Sequence, residues 1–194
     1  MVDSGKIVAQ IVNLETAQEL VPIWTKEWGV KDRGVLIHSL GVTYFTLLGN
    51  RLNYVSVTEV PAPCEGKYAC VGNEIRSDAV WFNPITQAPI AIAEFERCSG
   101  KEDNLKLENK VKNLLLAHHR WSVKAELLIL AYWTKKLTSL NSSKLQQIIH
   151  QGFVTPAGEN VAGSRASKLF LFQFVMREER DLLYLADILT RENK

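Results

Sequence analysis

The stretch that most constrains this chain is residues 75–97, IRSDAVWFNPITQAPIAIAEFER. Two short apolar runs flank an Asn83-Pro84 turn. Asp78 opens the first run, and Glu94 and Glu96 close the second. Side chains alternate across a strand, so Glu94 and Glu96 share one face and Phe95 points to the other. Pairing of the two runs would bring Asp78 beside them. Three carboxylates at the end of two strands are costly unless a cation sits among them, because they repel one another and lose hydration together. The same residues also read as two strands whose ends carry solvated acids. The near-continuous run Ile90-Ala91-Ile92-Ala93 marks a strand covered on both faces, so helices should pack on both sides of its sheet.

Length and composition fit a single domain spanning 1–194: 194 residues, 46% hydrophobic and 23% charged. A net charge of +2 is compatible with a polyanionic partner without pointing to one, since such binding needs local positive charge. Cys64, Cys70 and Cys98 form an odd set without zinc-ligand spacing or a disulfide framework, which favours a reducing compartment. The N-terminal apolar stretch is interrupted by Gln10 and Asn13 and does not read as a signal peptide. No apolar run reaches the length of a membrane span. The expectation is a soluble, cytoplasmic protein with no membrane partner. Neither GxGxxG nor GxxxxGK[ST] is present, so nothing supports oxidoreductase or kinase chemistry.

Around the central stretch the elements follow from periodicity. Residues 7–12 read as a short strand or ordered arm, and Asn13 as the cap of a helix bearing Ala17, Leu20, Val21, Trp24 and Trp28, kinked or split at Pro22. Residues 34–48 read as an amphipathic helix ending at Gly49, in preference to a hairpin around Gly49-Asn50. Residues 54–60 alternate as a strand ended by Pro61 and Pro63, with a loop over 62–73. After the central strands and a polar loop, Asp103 or Asn104 caps a helix whose buried stripe is Leu107, Val111, Leu114 and Leu115. Lys106, Lys110 and Asn113 lie along an adjacent stripe. Residues 126–133 form a second strongly apolar strand, parallel to its partner through a right-handed crossover. A helix over 142–151 capped by Ser142 or Ser143, a loop over 153–166, a strand over 168–176 and a charged amphipathic helix over 177–191 complete the chain.

This order of elements, with Asp78 beginning one strand and Glu94-Phe95-Glu96 ending the next, resembles the PD-(D/E)XK nuclease superfamily. The matching core runs from about 34 to 133. The resemblance implies a restriction-endonuclease-like three-layer α/β/α core with a mixed central sheet, extended here by a C-terminal strand and helix. It also implies metal-dependent cleavage of phosphodiester bonds. Glu96 stands where the family usually has lysine, and Lys110 or Lys106 of the following helix is placed to supply one. Arg76-Ser77-Asp78 stands where the family often has Pro-Asp. The Gly34-Val35-Leu36-Ile37-His38 segment has the GxxxH spacing of exonuclease-type branches, in which the histidine ligates metal. A lone histidine on a helix also reads as structural or solvated.

Phosphodiester hydrolysis needs a cation to neutralise nonbridging oxygens and acidify a bound water, and Mg²⁺ takes oxygen ligands. The expected metal ligands for Mg²⁺ (or Mn²⁺) are therefore Asp78, Glu94 and the backbone carbonyl of Phe95. Glu96 binds a second ion or orients the attacking water, and Lys110 stabilises a phosphate. The plainer reading of Lys110 is a solvated helix face. Glu59 either joins the carboxylates or is a surface acid at a strand end. His118 and His119 either touch DNA or are helix-end polar residues, and Trp81, Trp121 and Trp133 read as packing. The leading expectation is a DNA endonuclease of restriction or repair type, working as a homodimer. The alternative is a catalytically inactive member of the same fold that binds nucleic acid or protein.

Overall fold

Apolar periodicity switches between two and 3.6 along the chain, and the elements switch with it. The computed structural model describes residues 3–72, 74–136, 140–165 and 167–190. Helices α1 (Ser4–Ile11), α2 (Leu14–Leu20) and α3 (Gly34–Arg51) precede strands β1 (Val55–Pro61), β2 (Arg76–Phe82) and β3 (Pro89–Arg97). Then come α4 (Asn104–Arg120), β4 (Leu127–Thr134), α5 (Ser142–Gln151), the short strands β5 (Gly152–Val154) and β6 (Asn160–Ala162), β7 (Lys168–Glu179) and β8 (Leu182–Thr190). Six strands form one mixed sheet in the order β1-β2-β3-β4-β7-β8. β3, β4 and β7 run parallel, and the outer pairings β1–β2, β2–β3 and β7–β8 are antiparallel. β5 and β6 make a separate antiparallel hairpin where a loop over 153–166 was expected.

Alternation sorts the sheet's side chains between two cores. Ala79, Trp81, Ala91, Ala93 and Phe95 pack with Ile37, Tyr44, Phe45 and Leu48 of α3 and with Ile7 and Ile11 of α1. On the other face, Val80, Ile92, Leu128 and Leu130 pack with Leu107, Val111, Leu114 and Leu115 of α4 and with Leu145 and Ile149 of α5. The chain is thus mixed α/β with helices on both faces. The doubly covered strand expected from the Ile-Ala run is β3, and β4 is buried along its whole length. The parallel β3–α4–β4 crossover is present as expected. The sheet continues past residue 133 through β7 and β8. Among the described residues no helix is long and apolar enough to cross a membrane.

Several local expectations are corrected. Trp28 lies beyond α2 and the turn that follows it, and is exposed, unlike the buried Trp24. Of the residues 7–12 expected as a strand or arm, 7–11 belong to helix α1 and Val12 follows its last residue. The Asp3 carboxylate accepts from the Lys6 backbone N–H at 3.0 Å, and Ile7 and Ile11, one helical turn apart, bury against the core. Gly49 does not end its helix, which runs to Arg51. A Cβ at Gly49 would stand 2.6 Å from Trp81 Nε1, so the glycine allows that indole its place, from which its N–H donates to Phe45 O. α5 is capped by Asn141, which accepts from the Lys144 N–H, and not by Ser142 or Ser143.

The largest correction is the C-terminal helix, which is strand β8. Arg180 and Asp181, with φ of 52° and 61°, form the two-residue turn whose twist suits a hairpin. Val175 pairs with Asp187 but Met176 with Leu185, so Ala186 is an extra residue in the ladder. That bulge shifts the alternation, burying Leu183 and Leu185 before it and Ile188 after it. The resulting spacing, with Leu182 and Leu189 beside it, imitates a helical stripe. Three ends of the expected segments, Asn73, Ala166 and Arg191, lie outside the described residues.

Candidate active site at the parting of two strands

β2 and β3 pair only as far as Ala79 and Ala93. Asp78 and Glu94, the next residues along, stand where the strands part. The Phe95 N–H has no ladder partner on β2 and donates instead to Asp78 Oδ2 at 2.7 Å. Within a strand the N–H and C=O of one residue point to the same edge, so the Phe95 carbonyl faces the same gap. Asp78 is 6% exposed and Glu94 1%.

Lysines from α4 meet these acids through matched spacing. Glu94 and Glu96 repeat along β3 at about 6.7 Å, and one turn of α4 advances Lys106 to Lys110 by about 6 Å. Lys110 Nζ accordingly lies 2.7 Å from Glu94 Oε2 and 4.0 Å from Asp78 Oδ2. Lys106 Nζ lies 2.7 Å from Glu96 Oε1. The hydrophobic stripe of Leu107, Val111 and Leu114 fixes the helix rotation that aims both lysines at the strand. Burial, and then the neighbouring Asp78 charge, push the Glu94 carboxyl up to about 8, against the opposing pull of Lys110. Burial works to lower the Lys110 ammonium, but Glu94 and Asp78 outweigh it and hold that group above the ordinary lysine value.

The other oxygen of Asp78 faces different residues. His38 Nε2, from the second turn of α3, is 3.7 Å from Asp78 Oδ1. In the β1–β2 ladder Thr58 pairs with Ala79 and Val60 with Ser77, which sets Glu59 opposite Asp78. Glu59 has φ of 52°, a left-handed backbone rare for a residue with a Cβ. Ligand atoms of His38, Glu59 and Asp78 all lie within 4.8 Å of one another. Among the described residues this is the one trio of His, Cys, Asp or Glu that meets so closely. Asp78, Glu94 and Glu96 do not form such a trio. Asp78 and Glu94 are brought together, while Glu96 turns to Lys106 and accepts from the Arg97 N–H at 2.8 Å.

The group opens on a cleft of about 400 Å³. His38, Glu96, Arg97, Lys106 and Lys110 line it beside the start of α3. Each of its three cationic side chains already faces an acid: Lys110 meets Glu94, Lys106 meets Glu96, and Arg97 Nη2 lies 3.9 Å from Asp32 Oδ2. The Arg97 guanidinium is held over the Trp133 ring at 4.9 Å, a contribution that sequence reasoning missed because β4 had to be placed beside β3 before it became visible. His118 and His119 lie elsewhere. His118 is buried with Nε2 2.8 Å from Ser167 Oγ, and His119 Nε2 is 2.7 Å from Ala162 O. Trp81 and Trp133 are buried in the core and Trp121 is half-buried. Cys64 and Cys70 are exposed and Cys98 is buried, and none enters the trio.

Set against models of known protein families, against curated proteins and against solved structures, the chain matches none.

Proposed function

We propose that this chain is a metal-dependent nuclease that hydrolyses phosphodiester bonds in DNA, on a restriction-endonuclease-like fold of the PD-(D/E)XK superfamily. The succession α3-β1-β2-β3-α4-β4, with the acids on β2 and β3, supports the family reading. One observation carries the activity: Asp78, Glu94 and Lys110 meet in a desolvated gap beside a cleft lined by His38, Glu96, Arg97, Lys106 and Lys110. The donor types suit a hard cation, because the Asp78 and Glu94 carboxylates and the Phe95 carbonyl all offer oxygen, as Mg²⁺ or Mn²⁺ prefers. When bound there, the ion would supply neutralisation of a phosphate oxygen and a lowered pKa for water. Arg97 and Lys106 draw the phosphate into the cleft. Lys110 compensates charge on the nonbridging oxygens, and Glu96 orients a water by accepting its proton in a hydrogen bond.

Glu96 in the usual lysine position, and lysines that already neutralise both β3 acids, favour a second reading. In it the same fold binds nucleic acid without cutting it. The two are separated by incubating the purified protein with single- and double-stranded DNA and RNA in Mg²⁺ or Mn²⁺. The nuclease reading expects cleavage of DNA that falls at least about a hundredfold in Asp78→Asn and Glu94→Gln. Retarded migration of nucleic acid with no cleavage of any substrate by folded protein would overturn it in favour of the binding module.

A further inference from the structure

The segment that leads into α3 crosses the sheet at the ends of β3, β4 and β7. Val30 bridges to Leu183 of β8. Asp32 Oδ2 lies 2.8 Å from Lys135 Nζ, just past β4, and Lys135 in turn meets Glu178 of β7 at 2.9 Å. Arg97, at the end of β3, stands on the other side of Asp32 at 3.9 Å. The two ends of the segment open on different hollows. Gly34 lines the cleft described above, and Gly29 lines a second pocket of about 340 Å³ with Lys26, Arg180, Leu182 and Tyr184. We propose that this segment is a track for single-stranded DNA, with a base stacked on Trp28 and phosphates against Lys31 and Arg33. The proposal deepens the nuclease reading, on which it rests for the cleft alone, and names the substrate as DNA with an unpaired strand.

Exposure singles out Trp28. It is 61% exposed, while the other tryptophans are buried or half-buried, and its ring makes no aromatic or cation contact among the described residues. Its backbone is nevertheless fixed. The Gly29 N–H donates to Thr25 O at 2.9 Å, and Gly29 takes φ of 67° so close to β8 that a Cβ there would stand 2.8 Å from Leu182 Cβ. The indole is thus presented to solvent from a pinned loop and gains nothing within the chain. A nucleobase covers such a face whatever its identity, because every base has a stacking surface. Charge follows the same line. Asp32 is engaged by Lys135 and Arg97, and Glu179 by Lys26 at 2.9 Å. Lys31, Arg33 and Arg180 are exposed and form no ion pair among the described residues, with Glu27 the one acid of the segment in the same position. Spacing ties the two hollows together. Gly34 follows Gly29 by five residues, about 17 Å at full extension, or about five nucleotides at the 3.4 Å rise of a stacked strand. A base on Trp28 therefore belongs to the strand whose phosphate occupies the cleft. That base must be unpaired, since a duplex hides the faces of its bases in the stack.

The test follows the fluorescence anisotropy of a labelled oligothymidylate of about twenty nucleotides on titration with the full chain, in EDTA so that no cleavage intervenes. Trp28→Ala is expected to weaken binding at least about fivefold, and Trp28→Phe, which keeps a stacking face, to stay within about twofold of wild type. Lys31→Gln with Arg33→Gln should flatten the slope of log K against log salt by about 1.4, two phosphates at about 0.7 each. On a strand of the same length without bases, and on a blunt duplex, Trp28→Ala should bind as wild type does. Circular dichroism of each variant confirms that it is folded. The proposal is overturned if Trp28→Ala holds oligothymidylate as tightly as wild type, or if it loses the blunt duplex by the same factor. It also falls if wild type binds no single strand but sediments as an oligomer that Trp28→Ala dissociates, which would make the surface a protein contact. Failure of the nuclease reading shows instead as Trp28-dependent binding without cleavage when Mg²⁺ or Mn²⁺ is supplied.

Discussion

Protonation of His118 should destabilise this fold by an amount that can be worked out beforehand. The imidazole is 1% exposed. Its Nε2 bonds the Ser167 hydroxyl, which in turn meets the Ser164 hydroxyl at 2.9 Å, and its Nδ1 has no hydrogen-bond partner among the described residues. Burial, with a smaller push from His119, lowers its pKa from 6.5 to about 4. The folded protein therefore holds it neutral, while the unfolded chain takes up a proton near the ordinary value. Because the folded value is the depressed one, the contribution is complete above about pH 6.5 and is lost as pH falls toward 4. A gap of about 2.5 pKa units corresponds to about 3 kcal/mol when fully lost, of which about 2 kcal/mol is gone by pH 5. Urea unfolding at pH 7, 6 and 5 measures this when wild type is compared with His118→Gln, which keeps a polar partner for Ser167 but does not titrate. Wild type is expected to lose about 2 kcal/mol more than the variant between pH 7 and 5. If the two stabilities fall in parallel, His118 takes its proton without penalty and the reasoning from burial is refuted.

A Cβ at Gly41 would overlap the Phe95 ring. Gly41→Val is therefore expected to cost about 2–3 kcal/mol, read as a lowered urea midpoint, and a loss below about 0.5 kcal/mol would contradict the packing. Lys110→Met leaves the buried Glu94 carboxyl without its cation. Glu94 has a folded pKa above its unfolded one, so its stabilising contribution is lost as pH rises through about 8. Wild type should level off above that pH, while Lys110→Met goes on losing about 1.4 kcal/mol per pH unit. Unfolding curves that stay parallel above pH 8 would rule this out.

The middle of the molecule was legible because its periodicities are clean. Alternation through β2 and β3 located Asp78 and Glu94, and the 3.6-residue stripe of α4 fixed which lysines face them. What stayed hidden depended on neighbours distant in sequence. Residues 4–11 include β-favouring Ile and Val, yet the Asp3 cap and the docking of Ile7 and Ile11 make them helical. Gly49 looked like a helix end because glycine is common there, whereas its role is set by Trp81 on another element. Glu59 could be assigned to a strand, but its position opposite Asp78 follows from the β1–β2 register, which the loop between those strands does not announce. A single bulge at Ala186 was enough to disguise a strand as a helix.

The β7–β8 hairpin also sets a schedule for folding. β8 is the outer strand on its side of the sheet, yet it is held by early parts of the chain: Val30 bridges to Leu183, and the Gln18 side chain donates to Leu185 O across 167 residues of sequence. A segment emerging from a ribosome cannot satisfy such contacts until its distant partner has been made. α2 therefore waits through the synthesis of the intervening chain with apolar surface such as Ala17 incompletely covered. Closure of that edge is a long-range event with a large loop entropy against it, which places it among the slow steps of folding.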